Sequence, residues 1–343
     1  MEKLSRRSFV PMLGTVLLGA SCLSFDENVL EDLPKGILLP SRLKKGDKIG
    51  ICAPAGPIRD LTEVHDFTAV LKNLGFRVKV GANVAESYGY FSADDKARAS
   101  EFMSLIEDDD VKGIFAIRGG WGCARMLPYL DFGIIGRNPK VILGFSDVTT
   151  LLNAITAKTG LVTFHGPSGN SSWNEYSVSY LQKTVMDAKR VEYRNSSSED
   201  APIITYQTGK ASGQLYGGNL SVIASLIGSS YLPDWKGKIL FLEDVNEEPY
   251  RIDRMLTQLD LAGVFDGLAG IVLGGFRKCE AEEPARSFTL TQVFEQHFSK
   301  RNYPIFHGAQ IGHLQNKFTI PVGQVAEINA DAGTIYLSYP AVS

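Results

Sequence analysis

From Asp47 to Lys158 the chain alternates short apolar runs with helix-periodic segments, and this alternation leaves few folds open. Asp47 to Ala53 reads as a strand, and Ala-Pro-Ala-Gly-Pro after it is loop punctuation. Asp60 then opens a helix, with Glu63 as its capping-box partner. Leu61, Val64, Phe67, Val70, Leu71 and Leu74 recur at helical spacing until Gly75 stops it. Phe76 to Val84 is the next strand, and Ser92 to Asp95 caps a second helix running to about Glu107. Gly113 to Ile117 and Val141 to Phe145 are the third and fourth strands, the last running through Ser146 into a helix over 148–158. Strands separated by helices of this length imply βαβ units with right-handed crossovers and a parallel sheet covered on both faces. Ligands of such sheets sit beyond the carboxyl ends of the strands.

The second half of the chain reads differently. Residues 186–205 are charged, serine-rich and aperiodic, and read as the connection between two domains. Gly237 to Glu243 and Leu268 to Gly274 read as strands, Pro249 to Ala262 and Thr289 to Lys300 as helices. A closing β region spans Thr319 to Tyr339, with a turn at Asn329 to Gly333. The expected order is a signal over 1–22, a tether over 23–40, an α/β domain over 41–185, the linker, and a second domain over 206–343. Apolar residues make up 44% of the 343 and charged ones 21%, the balance of a globular chain. A net charge of -3 supplies no basic face for nucleic acid.

The amino terminus has its own logic. Arg6-Arg7 precede a short apolar stretch, Phe9 to Ala20, which ends in Gly19-Ala20-Ser21-Cys22. A charged start, a short apolar centre and small residues at a cleavage site are the layout of an export signal. The expected location is therefore periplasmic, or membrane-anchored if Cys22 carries lipid. An unmodified Cys22 beside an ordinary cleavage site is the alternative. The other cysteines, Cys52, Cys123 and Cys279, have no zinc-ligand spacing and do not cluster with the five histidines. No metal or other cofactor is expected.

Three side chains at strand ends could work together. Ser146 lies at a strand–helix turn that can hold a hydroxyl clear of the sheet and aim the next N–H groups at an oxyanion. It also reads as a plain helix N-cap. A serine nucleophile needs a base and a carboxylate to fix the base's tautomer. Glu243 ends the run Lys238 to Leu242, and His313 follows Ala309 to Gly312. His165 and His307 compete for the base, Asp147 for the carboxylate. The order Ser…Glu…His is that of the α/β-hydrolases, without their Gly-x-Ser-x-Gly signature. The stripped loop Arg118-Gly-Gly-Trp-Gly122 could cradle a phosphate or bring a backbone N–H to a reacting carbonyl.

Several segments together resemble the LD-carboxypeptidase family of serine peptidases, which includes muropeptide LD-carboxypeptidases and the microcin C self-immunity peptidase. They are Arg118 to Gly122, Gly144-Phe-Ser-Asp147 with Thr149, His165-Gly-Pro167, Gly217-Gly-Asn219-Leu220, Leu242-Glu-Asp244 leading through Glu247 to Pro249–Leu256, and Gly312-His313. The resemblance runs over about residues 45–340. It implies an α/β fold: a parallel-sheet α/β/α domain joined to a smaller, β-rich α/β domain, with the active site in the groove between them. It implies a triad of Ser146, His313 and Glu243, and an oxyanion hole from the backbone N–H groups of Asp147 and Gly120. Trp121 and Arg118 are expected against the substrate, Trp121 with core packing as the alternative. The implied reaction releases the C-terminal D-alanine from murein tetrapeptide stems through an acyl-enzyme on Ser146. The expected partners are a muropeptide or murein stem, a membrane through Cys22, and a second copy in a homodimer. Two other readings stay open. One is a peptidase inactivating peptidyl-nucleotide antibiotics of the microcin C type; the other is a non-enzymatic exported solute-binding protein.

Overall fold

Two sheets stand where the sequence implies strands, and the elements between them are more numerous than the periodicity announces. The computed structural model describes residues 33–196 and 202–343. The export signal, Cys22, most of the tether and part of the linker lie outside those residues.

The first half runs β1 (Lys48–Cys52), α1 (Thr62–Asn73), β2 (Arg77–Val80), α2 (Asp95–Glu107), β3 (Val111–Ala116), α3 (Cys123–Met126), α4 (Phe132–Arg137), β4 (Val141–Gly144), α5 (Thr149–Thr159), β5 (Thr163–His165) and α6 (Glu175–Val185). The second half runs β6 (Glu192–Tyr193), β7 (Ile204–Gln207), β8 (Lys210–Asn219), α7 (Leu220–Leu226), β9 (Lys238–Val245), α8 (Pro249–Leu261), β10 (Gly270–Arg277), α9 (Leu290–Phe298), β11 (Ile305–His307), β12 (Ile320–Val322), β13 (Val325–Asn329) and β14 (Thr334–Leu337). The first sheet has the order β12-β5-β4-β3-β1-β2 and the second β6-β14-β13-β8-β9-β10-β11-β7. From β2 to β5 the first sheet is parallel, as the βαβ alternation requires. In the second, β8 to β11 are parallel and the flanking strands antiparallel.

Three expectations need correction. Asp60 does not cap α1: the helix starts at Thr62 with no side-chain cap, and Asp60 instead accepts from the Thr62 backbone in a tight turn before it. The Glu63 carboxylate turns back to the Arg59 N–H. The strand over 76–84 shrinks to the four residues of β2, a largely exposed edge strand paired on one side only, with β1. The closing β region is divided: β12 leaves the second sheet and pairs antiparallel with β5 of the first.

The halves are thereby interleaved. Within the linker stretch, β6 joins the second sheet beside β14. The C-terminal Ser343 exchanges backbone hydrogen bonds with Pro40 and Arg42, which precede β1. Pro34–Ser343 forms one compact unit.

The pleat of β9 divides the core. Ile239 and Phe241 face the side of the second sheet that packs against the first half, while Leu240 and Leu242 face the side covered by α7, α8 and α9. A strand alternates its side chains between faces, so Glu243 continues the first series and Asp244 the second. This alternation decides which acid reaches the space between the sheets.

Candidate active site

Ser146 is held in a backbone conformation that serine avoids. Its φ is 62°, in the left-handed region, where a side chain costs roughly 1–2 kcal/mol. Phe145 before it is extended, and Ser146–Val148 make one 3-10 turn before α5 begins at Thr149. The Ser146 side chain caps neither helix, so the N-cap reading is corrected. The bend is enforced by close packing. A Cβ on Gly144 would meet Val148 Cγ1 at 2.8 Å, and one on Gly119 would meet Ser146 Cβ at 2.7 Å. The result is a sharp strand–turn–helix, a geometry that can present a nucleophile.

The glycine loop lies against this turn. Gly120 has a φ of 130°, and a Cβ there would fall 2.9 Å from the Gly56 nitrogen. Gly119 accepts a hydrogen bond from Gly56 N–H at 3.2 Å. Asp147, buried, accepts from Cys123 N–H at 2.7 Å and so ties the end of the loop to the serine turn. Burial pushes its carboxyl above the ordinary range, opposed mainly by the Cys123 bond. Arg118 donates to Pro57 O at 2.8 Å and lies 3.7 Å from Glu63, fastening the loop to the first helix. Trp121 is 47% exposed and stands outside the core. The Asp147 N–H is in the first turn of a helix, where backbone donors lack an intrahelical acceptor.

Glu243 and His313 meet from separate elements. Glu243 is fully buried near the end of β9, and its Oε2 lies 2.7 Å from His313 Nδ1. Burial alone would raise its pKa, but the hydrogen bond from His313 and the imidazole's charge hold it below the ordinary range. Gly312 makes the contact possible: at φ 100° a Cβ there would stand 2.2 Å from Glu243 Oε2. The His313 ring packs edge-on to Phe145, the residue before the serine, with centroids 4.8 Å apart. The structure thus pairs Glu243 with His313 and seats the pair against Phe145, the residue next to Ser146. The serine hydroxyl makes no hydrogen bond to a described residue. Such bonds are often long in a free enzyme and tighten with substrate.

Of the rivals, Asp147 is bonded to Cys123, His165 lies beside Glu243 without a bond to it, and His307 is on the second sheet. Asp244 points to the opposite face of β9, where Ser221 N–H, Ser221 Oγ and Asn219 Nδ2 donate to it at the start of α7. Burial, with Glu243 beside it, raises its pKa to about 6. His165 is buried, and its Nε2 lies 3.9 Å from Glu243 Oε1, too long for a hydrogen bond. Burial lowers it to about 4, so it is neutral at pH 7. His307 packs against Phe294 and Phe276 on the second sheet, and burial likewise lowers it to about 4. Cys52, Cys123 and Cys279 are free and buried. Among the described residues no group of three or more His, Cys, Asp or Glu is placed to hold a metal.

A groove of about 300 Å³ opens beside His313 and Phe145, with Asn170, Arg277, Lys278 and Lys317 in its walls. Its cations escaped the sequence reading because each is an ordinary loop or strand-end residue. The one signal was Lys317, four residues after His313 in an otherwise uncharged stretch.

Residues 49–166 match the family model of the LD-carboxypeptidase N-terminal domain, and residues 212–328 that of the C-terminal domain. A probable murein peptide carboxypeptidase of Bacillus subtilis is 36% identical over 291 residues, covering 84% of this chain and 91% of that protein. Among solved structures, the microcin self-immunity protein MccF in complex with glutamyl sulfamoyl guanosine superposes with a TM-score of 0.81 at 27% identity, covering 89% of this chain and all of that one. The muramoyltetrapeptide carboxypeptidase of Oxalobacter formigenes superposes with a TM-score of 0.74 at 30% identity, covering 84% and 97%.

Proposed function

Because the chain belongs to the LD-carboxypeptidase family, we propose that it releases the C-terminal D-alanine of murein tetrapeptide stems, with Ser146 as nucleophile. The observation that carries the residue assignment is the 2.7 Å bond between Glu243 Oε2 and His313 Nδ1 beside a serine in a left-handed turn. With Nδ1 held by the carboxylate, His313 keeps Nε2 free to take the Ser146 proton. The hydroxyl oxygen attacks the carbonyl carbon, and the oxyanion forms at the backbone N–H groups of Asp147 and Gly120. His313 returns the proton to the leaving amine, which departs as D-alanine. Water, deprotonated by the same histidine, then hydrolyses the acyl-enzyme. Glu243 stabilises the imidazolium in both steps, consistent with its depressed pKa.

The names of the relatives favour a murein peptide over other amides. The likeness to MccF supports a second reading, hydrolysis of a peptidyl nucleotide by the same acyl chemistry. Mass spectrometry of tri-, tetra- and pentapeptide stems after incubation separates them. Loss of one D-alanine from the tetrapeptide alone, abolished in a folded Ser146→Ala variant, is the expected result. Full activity of that variant, or turnover of a peptidyl nucleotide with the stems untouched, contradicts it.

We further propose that the enzyme acts outside the cytoplasm, held by lipid on Cys22. Support comes from Arg6-Arg7, the apolar stretch after them and the small residues before Cys22. Retention of a Cys22→Ala variant in the membrane fraction would refute the anchor.

A further inference from the structure

We infer that Lys317 and Arg277 seat the terminal carboxylate of the substrate, on the leaving-group side of Ser146. The inference rests on the peptidase reading above and adds to it the residues that make the enzyme act at chain ends. His313 must hand its proton to the departing amine, so the residue being released lies on the His313 side of the serine. The groove on that side is the one walled by Phe145, His313, Arg277, Lys278 and Lys317, and no carboxylate lines it. Trp121 and Arg118, on the glycine loop, do not line it.

Lys317 is the unusual member. It is only 3% exposed, and its ammonium stands 4.7 Å from the centroid of the Phe145 ring. Its backbone N–H donates to Ser177 Oγ at 3.1 Å, but its ammonium makes no hydrogen bond or ion pair with a described residue. A lysine is almost never this buried without a partner. The charge of Glu243 acts on it, but that carboxylate is bonded to His313 and forms no ion pair with Lys317. Burial lowers the Lys317 pKa to about 8, so the charge is kept at neutral pH at a cost in stability. Arg277, exposed at the end of β10, adds a second cation close enough to repel it. Its guanidinium also has no partner among the described residues. Two unpaired cations in a groove next to the base fit one carboxylate, with Arg277 able to take it in a bidentate grip. Binding that anion relieves both the mutual repulsion and the unpaired burial.

The test compares tetrapeptides ending in D-alanine and in D-alaninamide, which differ only in the charge at the carboxyl terminus. The wild type is expected to prefer the acid by tenfold or more in kcat/KM. Lys317→Met and Arg277→Met should each lose about tenfold on the acid, mainly through KM, and keep the wild-type rate on the amide. Amide turnover also reports that the buried variant has folded, and Arg277→Lys should restore part of the loss. Equal losses on both substrates, or unchanged preference in Arg277→Met, overturn the assignment. If the wild type cleaves neither peptide, the peptidase reading itself has failed, and this inference with it. An acid left uncleaved while the amide turns over overturns the inference alone.

Discussion

At residue scale, the proposed chemistry rests on two side chains kept in unfavourable states. Ser146 occupies a left-handed backbone conformation directly after Phe145, which lines the groove. Glycine has no Cβ to strain there, so Ser146→Gly should unfold about 1 kcal/mol later than wild type in urea while hydrolysing nothing. Lys317 is the second case. Its folded pKa, about 8, lies below the ordinary lysine value of 10.5, so protonation favours the unfolded chain. That penalty is complete below about pH 8 and fades as the pH climbs toward the ordinary value. Lys317→Met should therefore stabilise the fold at pH 7 by about 1–3 kcal/mol, with the gain vanishing in strong alkali. If the ammonium holds the substrate carboxylate, KM of the wild type should be flat below about pH 8 and rise above it, because the neutral amine no longer attracts an anion. A KM unchanged to pH 9 would count against that role.

At the scale of elements, strand alternation and glycine geometry do the positioning. The pleat of β9 puts Glu243 and Asp244 on opposite faces: one meets His313, the other secures α7. Gly312→Ala would place a methyl group 2.2 Å from the Glu243 Oε2 it now accommodates. The dyad should separate, with kcat falling on the order of 100-fold and substrate binding little changed. Steady-state kinetics with the tetrapeptide stem checks this. Much of this level was legible in the sequence. Ser146, Glu243 and His313 each follow an apolar run, and parallel sheets gather such positions at one edge. What could not be read was which groups share a face across elements. Asp60 looks like a helix cap because Asp–x–x–Glu is a cap pattern, yet the chain turns two residues later. The lysine of the groove carries no periodic signal, since its burial comes from packing against Phe145, distant in sequence.

At the scale of the molecule, the two sheets share one structure. The strand β12, encoded after most of the second sheet, completes the first one beside β5. The last residue, Ser343, is bonded to the segment that precedes β1. A three-residue strand has no period to detect, and so the sequence reads as two successive domains where the chain crosses over. A fragment of residues 34–196 would lack β12 and the C-terminal tail that cover its core. It should fail to give a cooperative unfolding transition, whereas residues 34–343 should unfold in one step. Calorimetry on both checks this. Interleaving also explains how a serine from one sheet and a Glu–His pair from the other can keep a fixed separation.

The most direct test is the intact mass of the protein after a fluorophosphonate, followed by mapping of the modified residue. One adduct, on Ser146, lost in Ser146→Ala and strongly slowed in His313→Gln, is the predicted result. An adduct on another residue, or no adduct on a protein that still cleaves the tetrapeptide, would contradict the serine mechanism.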